Sequence, residues 1–369
     1  MNQSDSPYLQ WPNGPSARAD YFPIGVWVQD PRNARAYQDI GVNVYVGLWQ
    51  GPTEEQLAAL SAVGMRVICA QNAVGLAHRD DPTIIAWMHG DEPDNAQADG
   101  NGGWGPAVDP ERLAADYRRW RANDPTRPIW LNLGQGVAND DWVGRAAPDE
   151  YYPRYIEATD IVSFDVYPVV GIRRDDGERF LWYVAKGVDR LRQWGQDARP
   201  VWNVIETTRI NNPTKKATPH QVKAEVWMSI IHGSRGIVYF AHEWEPRFVE
   251  AGLLADEQMR EGVGAINRQI HDLAPVLNSP TLPQGVVVES AVAEIPVDAL
   301  VKRWGGATYV FAVPMRQGPT RAQFTVSGLS GRGQVEVLGE ERTIALVDGR
   351  FADDFATYQV QLYRLVDGD

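Results

Sequence analysis

The stretch Ile84-Ile85-Ala86-Trp87-Met88-His89-Gly90-Asp91-Glu92-Pro93 passes from apolar residues directly into carboxylates and a proline. An apolar run of this length predicts a strand that is buried on both faces. Because proline cannot donate to a sheet, this strand is expected to end near Glu92. The run Pro200-Val201-Trp202-Asn203-Val204-Ile205-Glu206 repeats the design. Each stretch therefore delivers one glutamate at the carboxyl end of a buried strand, where α/β folds carry their functional groups.

Eight strand signals of this kind alternate with helix signals along most of the chain. The strands are predicted at 21–29, 42–49, 66–72, 84–92, 128–133, 160–167, 200–206 and 237–244. The helices are predicted at 31–39, 53–64, 110–122, 149–158, 180–195, 219–233 and 256–277, with a weak signal in 73–83. This count predicts an α/β fold, a (β/α)₈ TIM barrel. The alternative, a doubly wound open sheet, would be expected to carry a glycine-rich phosphate turn after its first strand, where Gly25 stands alone.

The domain boundaries follow from where the helical pattern begins and ends. Residues 1–20 are interpreted as an N-terminal extension, 21–277 as the barrel and 278–369 as a small antiparallel β-sandwich. Seven short alternating runs support the last unit. They lie at 286–288, 300–302, 308–313, 323–326, 335–337, 343–346 and 358–363. This unit shows no site-like cluster, which indicates an accessory domain.

Composition excludes several classes of function. The net charge of −13 argues against a nucleic-acid partner and against anionic polymers as substrates. No apolar run is long enough for a membrane partner to be expected. Residues 1–14 lack a hydrophobic segment, so no signal peptide is visible in the sequence. We expect an extracellular or periplasmic protein whose signal peptide was removed, with the cytoplasm as the other location. The single cysteine, Cys69, lies in an apolar run that predicts a buried, inert thiol.

The two strand-end glutamates predict a chemistry. In a closed eight-stranded barrel the ends of the fourth and seventh strands face each other across the mouth. A retaining glycosidase needs two carboxyl groups about 5–5.5 Å apart, one as acid/base and one as nucleophile. Glu92 and Glu206 are the candidates for these two roles.

The segment Asp80-Asp81-Pro82-Thr83-Ile84-Ile85-Ala86-Trp87-Met88-His89-Gly90-Asp91-Glu92-Pro93 resembles a family signature. It is similar to the fourth strand of the clan of retaining (β/α)₈ glycoside hydrolases that includes cellulases, β-galactosidases and β-1,3-glucanases. The resemblance implies that Glu92 is the acid/base, that Glu206 is the nucleophile and that the Trp244 side chain forms the bottom of the sugar-binding site. It also implies cleavage of β-linked oligosaccharides or polysaccharides, most simply β-glucans with endo-glucanase-like action, with no cofactor and no metal.

The sequence departs from that signature at three places. Asp91 stands where many members of the clan carry asparagine, and a carboxylate there can still accept a hydrogen bond from a sugar hydroxyl. Asp165-Val166-Tyr167 replaces the His-x-Tyr of the sixth strand, and Trp49 ends the second strand in place of an arginine. The resemblance therefore indicates the clan and leaves the family within it open.

Further strand ends and loops supply candidate sugar-binding residues. Aromatic faces pack against the apolar C–H surfaces of sugars, and amides and carboxylates bind their hydroxyls. The expected substrate-binding set is Asp91, Trp49, Asn72, Trp104, Asn132, Asp165, Tyr167, His242 and Trp244. Trp27 and Trp49 fit either the core or a sugar platform, and His89 could face the barrel core or the helices. Glu243 is the reserve nucleophile.

Two rival functions stay open at this stage. A metal-dependent barrel hydrolase would be expected to carry a His-x-His pair on its first strand, and Ile24 to Gln29 contains none. A catalytically inactive carbohydrate-binding barrel would keep the aromatic residues and could lose a glutamate. Because both glutamates are present, the sequence favours an active enzyme. The sequence leaves the oligomeric state open.

Overall fold

The computed structural model describes residues 6–142, 145–172 and 176–367. Its first unit is a closed barrel of eight parallel strands, each paired with the next and the eighth with the first. The strands are β1 (Ile24–Trp27), β2 (Val44–Val46), β3 (Arg66–Cys69), β4 (Ile84–Met88), β5 (Ile129–Leu133), β6 (Ile161–Asp165), β7 (Val201–Glu206) and β8 (Gly236–Phe240). The predicted (β/α)₈ barrel is confirmed, and the open-sheet alternative is wrong because the sheet closes.

The side chains of the strands alternate between two cores. Inside the barrel, residues such as Ile68, Trp130 and Trp202 form a packed interior. Outward residues such as Val162 and Ile205 join the larger core beneath the helices. Trp27 belongs to the interior, where its ring packs 5.8 Å from that of Trp130. This placement resolves Trp27 as a core residue rather than a sugar platform.

The helices surround the barrel. They are α1 (Ala34–Asp39), α2 (Glu54–Val63), α3 (Ala73–Ala77), α4 (Pro110–Asn123), α5 (Tyr151–Glu157), α6 (Tyr183–Trp194), α7 (Pro219–Ile231), α8 (Gly252–Ala255) and α9 (Glu257–Leu277). α2 begins with a capping box formed by Thr53 and Gln56. His89 faces this layer, because its imidazole contacts the Ala158 carbonyl oxygen and the ring of Trp120.

The segment that precedes β1 packs against the interior of the barrel. Tyr8 and Trp11 are buried among the interior side chains. The indole of Trp202 donates a hydrogen bond of 2.8 Å to the Tyr8 hydroxyl, which in turn donates to the Arg235 carbonyl oxygen. Arg235 precedes β8, so this segment covers the amino-terminal end of the barrel and leaves the carboxyl-terminal end as its mouth.

The C-terminal unit is one antiparallel sheet of eight strands. They are β9 (Val286–Ser290), β10 (Val297–Trp304), β11 (Ala307–Pro314), β12 (Thr320–Val326), β13 (Arg332–Val337), β14 (Thr343–Val347), β15 (Arg350–Phe355) and β16 (Gln361–Asp367). Their order, β10-β11-β16-β13-β14-β15-β12-β9, is continuous, and the sheet curls until its end strands meet. The sequence prediction missed β15, whose Ala-Asp-Asp centre has low strand propensity. Asp353 in β15 is stabilised by Arg342 and Tyr363.

The curled sheet packs on the barrel along α7 and the loop before α6. The rings of Phe311 and Trp227 lie 5.2 Å apart, and Tyr358 donates a hydrogen bond to the Glu178 carbonyl oxygen. This packing supports the part of the barrel that contains β6 and β7. Among the described residues, none of the helices is both long and apolar enough to span a membrane.

Candidate active site

The loop after β4 places Asp91 and Glu92 at the mouth of the barrel. Glu92 has a φ of 42°, a left-handed conformation that costs free energy in a residue other than glycine. Its amide donates to the Asn132 carbonyl oxygen, and the buried Asp94 accepts hydrogen bonds from the Gly134 amide and the Tyr152 hydroxyl. These contacts fasten the loop to β5. Strain that is held in place in this way is typical of functional sites.

Asn132 connects the loop after β4 to β6. Its amide nitrogen donates to Asp91 Oδ1 at 3.0 Å and to Asp165 Oδ2 at 2.8 Å. Its amide oxygen accepts from the Ser163 hydroxyl at 2.8 Å, which fixes the orientation of the amide. Asn132 therefore holds a carboxyl group from the loop after β4 and one from β6 at one place.

Asp91, Glu92 and Asp165 form what we call the mouth carboxyl cluster. Burial, together with the acidic neighbours Glu92 and Asp91, raises the pKa of Asp165 well above its usual range. Asp91 reaches solvent, but the surrounding protein atoms and the adjacent Glu92 raise its pKa to about 7. Like charges held this close favour at least one protonated member at neutral pH. The cluster can therefore give and take protons in the pH range where enzymes work.

The Glu92 carboxyl group lies over Gly134, directly after β5. A Cβ atom added to Gly134 would come within 2.9 Å of Glu92 Oε1 and 2.6 Å of Asn95 Nδ2. Only glycine leaves this space free, so the carboxyl group of Glu92 depends on Gly134 for its position. Tyr167, two residues after β6, is half-buried and packs 5.4 Å from Phe240. Burial and the nearby carboxyl groups raise the pKa of the Tyr167 hydroxyl, which keeps it a hydrogen-bond donor.

Glu206 ends β7 but does not reach solvent. Its Oε1 accepts from the Val169 amide at 2.7 Å and its Oε2 from the Val170 amide at 3.0 Å. The side chain has no accessible surface, and burial raises its pKa to about 8. The strand end was predicted, whereas the capture of both carboxylate oxygens by the loop after β6 was not. In this conformation Glu206 secures that loop.

Glu225 on α7 is an acidic residue that the sequence analysis did not single out. It is fully buried, and burial with the acidic neighbour Glu206 raises its pKa well above the usual range. Its carboxyl oxygens have no hydrogen-bond partner among the described residues. The sequence carried a signal for it, since Glu225 lies within the apolar run Val222-Lys223-Ala224-Glu225-Val226-Trp227-Met228. An acid inside such a run is rarely buried without a functional or structural partner.

Four aromatic side chains are exposed in the part of the chain that the structure describes. Trp49 is 74% exposed, Trp104 65%, Phe248 54% and Trp244 50%. All four lie on loops that follow barrel strands, namely β2, β4 and β8. Exposed aromatic residues on one face of a soluble protein indicate a binding surface. Phe248 was missed by the sequence analysis because no motif marks its loop.

Trp104 lies in an ordered hairpin in the loop between β4 and α4. Residues Ala98 and Trp104 pair across it, and the Asp99 carboxylate accepts from the Asn101 and Gly103 amides. The Arg145 guanidinium lies 4.4 Å from the Trp104 ring centre. One face of the indole is therefore supported by a cation–π contact, and the side chain is held outward rather than on a pliable tip.

The remaining predicted residues differ in whether their polar groups are already engaged in contacts within the protein. Asn72 caps α3, where its side-chain oxygen accepts from the Gly75 amide and its nitrogen donates to the Pro52 carbonyl oxygen. Both polar groups of Asn72 are thus committed to the fold. His242 is buried beside Phe248 and Trp244, with ring centres 5.8 and 6.1 Å away, and burial lowers its pKa. Glu243 is paired with Arg209 at 3.3 Å.

Within residues 6–142, 145–172 and 176–367, no group of three or more histidine, cysteine, aspartate or glutamate side chains has an arrangement that could hold a metal ion.

Neither a family model nor a curated protein sequence matches this chain. Solved structures are similar in fold along nearly its whole length. Gan42B, a family 42 β-galactosidase from G. stearothermophilus, has a TM-score of 0.59 at 8% identity and covers 94% of this chain and 98% of its own. AmyP in complex with maltotriose has a TM-score of 0.56 at 10% identity, with 95% and 98% covered. A family 30 endoxylanase from Clostridium papyrosolvens has a TM-score of 0.51 at 11% identity, with 94% and 96% covered. These structural neighbours are (β/α)₈-barrel glycoside hydrolases, and at such identities the similarity shows the fold alone.

Proposed function

We propose that this protein is a glycoside hydrolase that uses Glu92 as its general acid/base. The observation that carries the proposal is the mouth carboxyl cluster, at which Asn132 joins the ends of β4 and β6 on the face that also bears every exposed aromatic side chain of the described chain. A carboxyl group at the mouth of the barrel suits acid/base catalysis at a glycosidic oxygen. Aromatic side chains suit the binding of sugar rings.

The proposed mechanism is double displacement with net retention. Glu206 attacks the anomeric carbon while the proton of Glu92 passes to the leaving oxygen, whose bond to that carbon breaks. Water then gives a proton to Glu92 and its oxygen attacks the anomeric carbon, which releases Glu206. In this scheme Glu206 leaves the Val169 and Val170 amides and turns toward the mouth, because attack requires a free carboxylate oxygen. No cofactor takes part.

The proposed substrates are β-linked oligosaccharides or polysaccharides, with β-glucans first among them. An acidic mouth disfavours anionic sugars, since like charges repel. Aromatic residues on three separate loops support several sugar subsites, as endo-glucanase-like action would need. At the point of cleavage, Asp91 and Tyr167 are proposed to bind the hydroxyl groups of the sugar. Trp244 is proposed to form the bottom of this sugar-binding site.

Product analysis tests this proposal. The purified protein is incubated with β-glucans, mannans, xylans and α-glucans, and with chromogenic aryl glycosides. We expect release of reducing sugars from a β-linked substrate, and proton NMR of the first product should show the β-anomer. Release from an α-glucan alone would overturn the β-specificity, and a first product with inverted configuration would overturn double displacement.

A mechanism-based label separates the possible nucleophiles. A 2-deoxy-2-fluoro glycosyl fluoride should form a stable ester that peptide mass spectrometry locates on Glu206. A label on Asp165, Asp91 or Glu243 would assign the nucleophile there instead. If no substrate of the panel is cleaved while calorimetry shows oligosaccharide binding, the protein is a carbohydrate-binding barrel without activity. The exposed aromatic residues are the specific observation that favours this second function.

A further inference from the structure

A short hairpin after β8 carries two exposed aromatic side chains. Glu243 and Val249 pair across it, with amide-to-carbonyl distances of 2.9 and 2.8 Å. Trp244 and Phe248 are both exposed, and their ring centres lie 4.7 Å apart with 44° between the ring planes. The two rings therefore meet at an angle and leave apolar faces open to solvent. We call this pair of rings the aromatic corner.

The hairpin is fastened to the loops on both sides of it. Toward β1, Glu250 Oε1 accepts from the Asp30 amide at 2.6 Å, and the Gln29 side chain donates to the Glu250 carbonyl oxygen at 2.9 Å. Toward β7, the Trp244 amide donates to the Arg209 carbonyl oxygen at 2.9 Å. A hairpin that is already held in place loses little further conformational freedom when a ligand binds, which favours affinity.

A row of contacting rings leads from the mouth carboxyl cluster to the aromatic corner. It begins at Tyr167, two residues after Asp165, whose ring centre lies 5.4 Å from that of Phe240. The Phe240 ring lies 5.4 Å from His242, and the His242 ring lies 5.8 Å from Phe248 with only 22° between their planes. His242 is buried, so it supports Phe248 from the protein side. The corner therefore continues the binding surface that starts at the cluster.

The aromatic corner and Glu92 lie on opposite sides of the mouth. Glu92 follows β4 and the hairpin follows β8, and in a closed barrel of eight strands in sequence order these two positions face each other. In the proposed mechanism Glu92 protonates the leaving oxygen, so the leaving group lies toward the β4 side. The part of the substrate that is transferred to the nucleophile therefore extends toward the aromatic corner.

We propose that Phe248 binds a second sugar on the transferred side of the cleaved bond, next to the sugar that lies over Trp244. Phe248 thereby selects chains of two or more β-linked sugars over glycosides of a single sugar. This inference rests on the proposed glycoside hydrolase function and deepens it, because it names the residue that sets the shortest good substrate. Each ring of the corner offers an apolar face, and consecutive sugars of one chain can pack on neighbouring faces.

Substrate selectivity tests the inference. kcat/KM is measured for a nitrophenyl β-glucoside and the nitrophenyl β-cellobioside, or for the equivalent pair in the sugar series that the product analysis finds active. The two substrates share one leaving group and differ by the second sugar. We expect wild type to prefer the disaccharide glycoside, and Phe248→Ala to reduce this preference by about tenfold or more, chiefly through KM, because an apolar contact is lost. Phe248→Tyr keeps a ring and should retain the preference.

The matched control is Arg247→Ala, because Arg247 is exposed next to Phe248 on the same hairpin. It should keep the wild-type preference. Equal losses on both glycosides in Phe248→Ala would place Phe248 at the first sugar, and an unchanged preference would show that its ring contacts no second sugar. Either result overturns the inference, as does a wild type without preference for the disaccharide. Thermal unfolding confirms that each variant is folded.

Calorimetry separates this inference from the proposed function. If no glycoside is cleaved, binding of cellopentaose is compared between wild type and Phe248→Ala. Binding that is about tenfold weaker in the variant would leave the sugar contact of Phe248 standing while the proposed catalysis fails. Equal affinity, or no binding to either protein, overturns the inference. Cleavage with unchanged selectivity in Phe248→Ala would instead overturn the inference while the proposed function stands.

Discussion

The Glu206 and Glu225 carboxyl groups are fully buried between β7 and α7 and lie close enough to influence each other's proton affinity. Glu206 accepts from the Val169 and Val170 amides, whereas Glu225 has no such donor among the described residues, so Glu206 is the member of the pair that ionises more readily. Asn203 and Ser229 form a hydrogen bond deeper in the same interface, which fixes the register of the helix on the strand. β7 is thus bound to α7 through Asn203 and Ser229 and to the loop after β6 through Glu206, with the Glu225 carboxyl group buried beside Glu206.

This pair predicts a pH-dependent difference in stability. In the unfolded chain Glu225 ionises near the ordinary glutamate pKa, whereas in the folded protein its raised pKa keeps it protonated to higher pH. As the pH rises above about 5, the unfolded state loses its proton first and the wild type loses stability. Glu225→Gln cannot ionise, so its free energy of unfolding relative to wild type should rise by up to about 1.4 kcal/mol per pH unit.

Thermal and urea unfolding between pH 4.5 and 8 measure this difference. The control is Glu341→Gln, at an exposed position, whose difference from wild type should stay nearly constant with pH. A constant difference for Glu225→Gln as well would show that Glu225 is ionised in the folded protein. Glu225→Leu should be less stable than Glu225→Gln, because leucine, unlike glutamine, cannot donate a hydrogen bond to the neighbouring Glu206 carboxylate.

Glu206→Gln separates catalysis from support of the loop after β6. If Glu206 is the nucleophile, the amide abolishes the chemical step because it cannot form the glycosyl-enzyme, and kcat should fall by several orders of magnitude. Single-turnover kinetics and the melting temperature are measured together. Near-wild-type turnover with a lower melting temperature would assign Glu206 to the loop alone. Glu243→Gln, which breaks a pair with Arg209, is the next variant to test in that event.

Glu92→Ala should affect substrates according to their leaving groups. General-acid assistance is worth about 10²–10⁴-fold, and it matters least when the leaving group is already acidic. We expect losses of that size for oligosaccharides, with little change in the first step for activated aryl glycosides. Burst kinetics with a series of substituted phenyl glycosides measure this dependence. Equal losses across the series would argue against the acid/base role.

Gly134→Ala tests whether the Glu92 carboxyl group must occupy its observed place. The added methyl group would lie 2.9 Å from Glu92 Oε1 and 2.6 Å from Asn95 Nδ2, closer than such contacts permit. Glu92 should be displaced, and turnover of poor leaving groups should fall by about tenfold or more. Gly90→Ala is the control on the loop after β4, since a Cβ there meets no atom within 4 Å. Similar kinetics for the two variants would show that the position of the Glu92 carboxyl group does not depend on Gly134.

Sequence reasoning placed the barrel strands and their ends well, because buried runs that end in polar residues follow from local patterns. It could not orient Glu206, whose oxygens are bound by Val169 and Val170 more than thirty residues away. The sequence also could not tell that Trp49 is exposed and Trp27 is buried, since both are tryptophans at strand ends. Such outcomes depend on which loops approach from neighbouring strands. The periodicity of the sequence carries no information about which loops approach each other. The directions of the side chains at the mouth could therefore be determined only from the structure.

Trp104 supports the last prediction, which concerns substrate length. Its indole is 65% exposed in the loop that begins at Glu92, and the Arg145 guanidinium covers one ring face only. We therefore predict that the other face stacks on a sugar on the leaving-group side of the cleaved bond. Trp104→Ala should weaken oligosaccharide binding by about 1–3 kcal/mol and leave hydrolysis of a small aryl glycoside nearly unchanged, because that substrate does not reach the outer subsite.

Two further variants serve as controls. Trp104→Phe should retain part of the affinity for oligosaccharides. Leu9→Ala removes an exposed apolar side chain in the segment before β1 and should change neither oligosaccharide binding nor hydrolysis of the aryl glycoside. Calorimetry with oligosaccharides of increasing length measures the effect. Equal losses on both substrates would place Trp104 at the catalytic centre, and no loss on either would remove the support for an extended substrate.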